Sequence, residues 1–113
     1  MARILVVDDE AAIRSFYRMV LEPAGHEILE AADGVEGLAK VQQGHFDLVI
    51  TELNIPNMKG DVMAKEIKIQ RRDLDLRILL ISSETSTSGA IDSMLEKPVA
   101  PDRIRAEVEF LLK

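Results

Sequence analysis

Three short, unbroken apolar runs govern what this chain can become: Ile4-Leu5-Val6-Val7, Leu48-Val49-Ile50 and Ile78-Leu79-Leu80-Ile81. A strand that is apolar at every position, rather than at alternate ones, is buried on both faces, the pattern of a parallel sheet with helices on either side. These three runs belong at the sheet centre. His26-Glu27-Ile28-Leu29-Glu30 is more mixed and reads as an edge strand, and Ser93-Met94-Leu95-Glu96 is a weaker candidate for the opposite edge. Helical patterns lie between them. Ile13, Phe16, Tyr17, Val20 and Leu21 follow helical spacing and stop at Pro23 and Gly25, while Asp33 with Glu36 resembles a capping box ahead of Val35, Leu38 and Val41. Asp61 stands where it could cap a third helix through Val62, Met63 and Ile67. Pro101 suits the first turn of a last helix carrying Ile104, Val108 and Leu111. Most of the five methionines are expected in the core.

Alternating strands and helices predict an α/β fold with right-handed crossovers. The 113 residues fit a single domain, 1–113. An average βα unit takes roughly 23 residues, so five units need about 115 to 120 and the chain is marginally short. The shortage falls between Glu84 and Asp92, where Glu-Thr-Ser-Thr-Ser-Gly-Ala-Ile-Asp must replace two loops and a helix. Thr, Ser and Gly are poor helix formers, so four helices are predicted, with the fourth crossover helix shortened or missing.

Fourteen Lys and Arg against twenty Asp and Glu leave a net charge of -6, which argues against direct nucleic-acid binding. With no cysteine, thiolate metal sites and cysteine nucleophiles are excluded. No apolar run approaches the length of a membrane span and no signal-peptide pattern precedes the first strand, so a cytoplasmic protein is expected.

In a sheet of this kind ligands gather at the carboxyl ends of the strands. Asp8 and Asp9 follow the first strand, Glu52 the third, Ser82 the fourth and Lys97 the fifth. Three carboxylates, a hydroxyl and an ammonium should therefore share one pocket, a set suited to Mg²⁺ and an anionic group. Taken singly, each has an ordinary explanation: Asp8-Asp9-Glu10 as charges at a helix start, Ser82 as a turn residue, Glu52 and Lys97 as surface charges. Convergence of all of them at strand ends is what favours a site. His26 and His45 are expected at the surface, and Arg71-Arg72 at a helix end.

Ile4-Leu5-Val6-Val7-Asp8-Asp9-Glu10, Ala32-Asp33-Gly34-Val35-Glu36-Gly37-Leu38, the stretch from Asp47 to Gly60 and the pair Lys97-Pro98 together resemble the receiver domain of bacterial two-component response regulators, the chemotaxis-regulator fold. The resemblance spans essentially the whole chain. It implies a three-layer, flavodoxin-like, five-stranded sheet in the order 2-1-3-4-5 and a cis peptide before Pro98. It also implies Mg²⁺ held by the acidic pair Asp8 and Asp9, the phosphoacceptor position and the backbone carbonyl of Asn54, with Ser82 and Lys97 contacting the phosphoryl group.

Three departures qualify that expectation. Where the family places its phosphoacceptor Asp, this chain has Glu52, whose additional methylene advances the carboxylate in a reaction sensitive to displacements on the order of 1 Å. Glu52 could instead reach Lys97 and Ser82, while Asp47 lies at the opposite end of its strand and cannot replace it. The crossover between Ser82 and Lys97 is shortened, and Met94 stands where many receivers keep a Tyr or Phe switch residue. The expected function is thus a pseudo-receiver in two-component, phosphorelay-type signalling that acts by phosphorylation-independent protein interaction, with Mg²⁺ bound weakly or not at all. Partners would be a signalling protein or histidine kinase, or a second copy through the apolar residues of the last helix. The alternatives are a constitutively active phosphomimetic state with Glu52 paired to Lys97, and, from a different class, a Mg²⁺-dependent phosphohydrolase.

Overall fold

The computed structural model describes residues 1–113. In chain order the elements are β1 (Arg3–Val7), α1 (Ala11–Leu21), a 3-10 turn (Glu22–Ala24), β2 (Glu27–Ala31), α2 (Gly34–Gln43), β3 (Leu48–Thr51), α3 (Gly60–Gln70), β4 (Arg77–Ser82), β5 (Ser93–Glu96) and α4 (Pro101–Leu111). All strand pairs are parallel and the order is β2-β1-β3-β4-β5, which puts the three wholly apolar runs at the centre and the two mixed ones at the edges. Because side chains alternate across the pleat, one sheet feeds two cores. Ile4, Val6, Ile50, Leu79 and Ile81 pack against Tyr17, Val20 and Leu21 of α1 and Ile104 and Val108 of α4. Leu5, Val7, Val49 and Ile78 face Val41 of α2 and Met63, Ala64 and Ile67 of α3.

The second helix starts as its sequence predicts. The Asp33 side chain accepts from the Glu36 amide at 2.8 Å, although Glu36 reaches back to the amide of Ala32 at 2.7 Å rather than to that of Asp33. Asp33 also accepts from Asn57 Nδ2 at 2.9 Å, tying the cap to the loop after β3. Asp33→Ala should therefore cost about 1 kcal/mol of stability, a loss readable in urea denaturation.

Two local expectations are corrected. Asp61 does not cap the third helix, which begins one residue earlier with Lys59 in the cap position. Asp61 lies in the first turn, where its Oδ2 accepts from Ser86 Oγ at 3.0 Å. Only Met63 among the methionines is fully buried, while Met1, Met19 and Met94 are exposed, Met19 on the outer face of α1 and Met94 on the open face of β5.

Between Ser82 and Ser93 there is no helix. The connection is instead pinned by Asp92, whose carboxylate accepts from the Ile78 amide at 2.7 Å and from Lys68 Nζ at 2.8 Å. The strand that follows is half open, with Ser93 and Leu95 partly covered and Met94 and Glu96 exposed.

Candidate functional site

Backbone hydrogen bonds at the strand ends bring the site together. The Glu52 amide donates to Val7 O at 3.1 Å, and the Lys97 amide to Ser82 O at 3.0 Å, so the residues following β1, β3, β4 and β5 share one rim. A narrow start to α3 is also required. A Cβ on Gly60 would overlap the carbonyl oxygen of Glu52, so only glycine lets the helix begin pressed against that strand end.

Lys97 occupies the centre. Its Nζ stands 2.8 Å from Glu52 Oε1 and 3.1 Å from Asp8 Oδ2, one cation between two carboxylates. The remaining oxygens are also engaged. Glu52 Oε2 accepts from the amides of Leu53 at 2.5 Å and Asn54 at 3.2 Å, and Asp8 Oδ1 accepts from the amide of Glu10 at 2.9 Å. Asp8 and Ser82 are buried, whereas Asp9 stays exposed at the rim. Glu84 closes one side of the mouth: its amide donates to Ser82 Oγ at 3.1 Å and its carboxylate accepts from Asn54 Nδ2.

Burial pushes the Glu52 carboxyl up, but hydrogen bonds from Lys97, Ser82 and the Asn54 amide, with the lysine's charge, outweigh it and hold the group below the usual range. Burial likewise pulls Lys97 down, and the two carboxylates more than reverse it, leaving the ammonium harder to deprotonate than a free lysine. A carboxyl depressed on folding contributes stability above its unfolded pKa and loses it as pH falls through the folded one. A raised lysine contributes below its unfolded pKa and loses stability as pH rises through the folded one. Unfolding free energy should thus plateau from about pH 5 to about pH 10 and fall on the acid side below about pH 4, a fall that Glu52→Gln makes shallower in pH-dependent urea titrations.

The donor set in this arrangement does not fit Mg²⁺. Asp8 and Glu52 are committed to the ammonium and to amides, and no three acidic or imidazole groups stand together as a ligand set.

Residues 4–109 match the family model of the response regulator receiver domain. This chain belongs to that family. The DNA-binding dual master transcriptional regulator RpaA of Synechocystis is 31% identical over 121 residues, covering 100% of this chain and 50% of that protein. The chain thus spans about half the length of the curated regulator it matches. The chemotaxis response regulator CheY4 of Vibrio cholerae superposes with a TM-score of 0.91 at 34% identity, covering 99% of both chains. The response regulator TrrA of Thermotoga maritima, solved in complex with Mg²⁺ and BeF, gives a TM-score of 0.90 at 35% identity, covering 99% of this chain and 100% of that one. The receiver architecture is the five-stranded sheet already described, including a cis Lys97-Pro98 peptide. No helix is long and apolar enough to cross a membrane.

Asp8, Glu52, Ser82 and Lys97 are thus brought together, Asp9 and the Asn54 backbone line the rim, and Met94 lies apart on the exposed side of β5. Sequence reasoning missed two participants. Tyr17, read as one more residue of an apolar stripe, sits behind Lys97 and feels Lys97, Asp8 and Glu52 electrostatically. Glu84 was read only as the start of a loop. The sole advance signal for Tyr17 was a hydroxyl on an otherwise apolar helix face.

Proposed function

We propose that this receiver signals by protein interaction without phosphorylation at position 52. The observation that carries the reading is the 2.8 Å contact between Glu52 Oε1 and Lys97 Nζ. The lysine that the family turns toward a phosphoryl group is here satisfied by the protein's own carboxylate, and the serine beside it helps to hold that carboxylate ionised. Ser82 and Lys97 keep phosphate-contact positions, and Asp8, Asp9, Glu52 and the Asn54 carbonyl keep the places of the family's metal pocket, with Asp8 and Glu52 held by the Lys97 ammonium instead. Met94 occupies the switch position without an aromatic ring, 45% exposed. Residues 1–113 act as one non-enzymatic receiver unit, whose partners are a histidine kinase or another signalling protein, with α4 and its exposed Phe110 offering a self-association face. Direct contact with nucleic acid is not part of this reading. DNA binding belongs to RpaA by name, and this chain matches only half of it.

Incubation with Mg²⁺ and acetyl phosphate, followed by intact-mass measurement, should leave the protein unmodified. A stoichiometric, acid-labile phosphoryl adduct at Glu52 overturns the proposal. Turnover of a generic phosphate ester, the sign of a phosphohydrolase, is expected to be nil.

The same ion pair favours a second reading, in which Glu52 mimics a phosphorylated residue and holds a permanently active state. Glu52→Gln keeps the shape and removes the charge. Unchanged amide spectra around Lys97 and β5 in that variant would dispose of the mimic.

A further inference from the structure

With no helix between Ser82 and Ser93, the crossover passes α3 as a loop, and a groove of about 920 Å³ runs between the two. Asp61, Lys65 and Glu66 of α3 form one wall and residues 85–90 the other. Val62 and Ala90 are the only apolar residues lining it, so the groove suits a polar guest.

One requirement in it is unmet. Oδ1 of Asp61 is buried without a hydrogen-bond partner, and no other buried side-chain nitrogen or oxygen of the protein lacks one. Its sister Oδ2 is engaged by the Ser86 hydroxyl. Buried polar atoms are nearly always matched, and an unmatched one costs free energy, more so on a charged group. Lys65, one turn further along α3, is exposed and does not supply the missing donor.

We propose that this groove receives an arginine side chain of a partner protein, whose guanidinium donates to Oδ1 of Asp61 and turns its other N–H groups toward the hydroxyls of residues 85–88. What the site lacks is a donor, and a positive charge complements the carboxylate. A metal ion is a poorer guest, since no three acidic or imidazole groups stand together as ligands. A lysine ammonium is a strongly hydrated point charge, whereas guanidinium is weakly hydrated and carries five donors, which suits a covered carboxylate among hydroxyls. The Ser86 bond is the side-chain tie between residues 85–88 and α3, so entry of the guanidinium shifts the loop that closes over Oδ1. The proposal names the chemistry of one contact in the protein interaction read above and rests on that reading only for the source of the arginine. The site itself needs Asp61 and the crossover, whatever happens at position 52.

The test titrates two probes of equal length into the amide-labelled full chain, N-acetylarginine methylamide and its uncharged counterpart N-acetylcitrulline methylamide. The arginine probe should shift the amides of Asp61, Val62 and residues 85–90 saturably. The citrulline probe should bind there at least tenfold more weakly, the factor a charge-assisted hydrogen bond supplies over a neutral one. Asp61→Asn, which keeps the shape, should bring the arginine probe down to the level of citrulline. Lys65→Gln should tighten arginine binding by no more than a few-fold, the size of a screened surface charge. Equal affinity of the two probes for the unaltered chain overturns the proposal without any variant. So do shifts scattered over other acidic residues, and an Asp61→Asn chain that binds arginine as well as the original. A gain of tenfold or more in Lys65→Gln would show that Lys65 already holds the oxygen, and Ca²⁺ moving the same amides where arginine does not would assign it to a metal; either result overturns the proposal. None of these outcomes bears on the acetyl phosphate experiment, so failure here and failure of the reading of position 52 are told apart.

Discussion

Glu52→Asp is expected to accept a phosphoryl group from acetyl phosphate in the presence of Mg²⁺, where the unaltered chain accepts none. Removing one methylene retracts the carboxylate by about one C–C bond, on the order of 1.5 Å. That withdrawal takes it out of its 2.8 Å contact with Lys97 Nζ and frees the space between lysine, serine and carboxylate. An aspartate oxygen can then attack phosphorus in line as acetate leaves, and the released lysine and Ser82 are left to bind the transferred oxygens. Misplacement by about 1 Å costs on the order of a hundredfold in such reactions, so the variant should be modified at least that much faster. Intact mass after a fixed incubation reads the adduct, and its loss in acid identifies an acyl phosphate. If the variant stays unmodified, the block lies in the surroundings of position 52, with Glu84 at the mouth the first place to look.

The second large effect belongs to Lys97→Met. The variant keeps most of the stem but leaves Asp8, whose side chain is 2% exposed, facing Glu52 with no cation between them. Stripping one partner from a buried ion pair typically costs 3–5 kcal/mol, and since Lys97 retains a quarter of its exposure, about 2–4 kcal/mol is expected here. In a domain of this size that is roughly 10–15 °C in Tm. The penalty should shrink below about pH 4, where protonation removes the repulsion. Adding Glu52→Gln to Lys97→Met should recover part of the loss, because the two sites are in contact and their effects do not add. Thermal denaturation of the single and double variants at neutral and acid pH checks all three statements.

Much of this was legible in the sequence because it depends on patterns the backbone enforces. Uninterrupted apolar runs identified the central strands, mixed runs the edges, and a nine-residue stretch too short for two loops and a helix located the missing helix. The rule that chemistry collects at strand ends selected Asp8, Glu52, Ser82 and Lys97 before any geometry was known. Other features depended on side-chain reach, which spacing does not encode. Asp61 read as a cap because acidic residues near a helix start commonly are, yet the helix begins at Gly60, where absence of a side chain lets it meet Glu52. Most of the methionines read as core from their positions in the pattern, although three of the five lie outside. Tyr17 was hidden by being correct as a core residue; only the charges of Lys97, Asp8 and Glu52 that reach its phenol distinguish it.

The helix-free crossover also bears on how the molecule breathes. With only a pinned loop joining β4 to β5, the final strand and α4 are held by one edge of the sheet, by the apolar face of α1 and by the Lys97 bridge to Glu52 and Asp8. They are expected to open as a unit, which amide hydrogen exchange would register as a shared, lower protection across β5 and α4. The bridge is then a clasp on that motion. Protonating or removing one partner of the bridge should lower that protection further, which would make the bridge a control on the lifetime of the closed form.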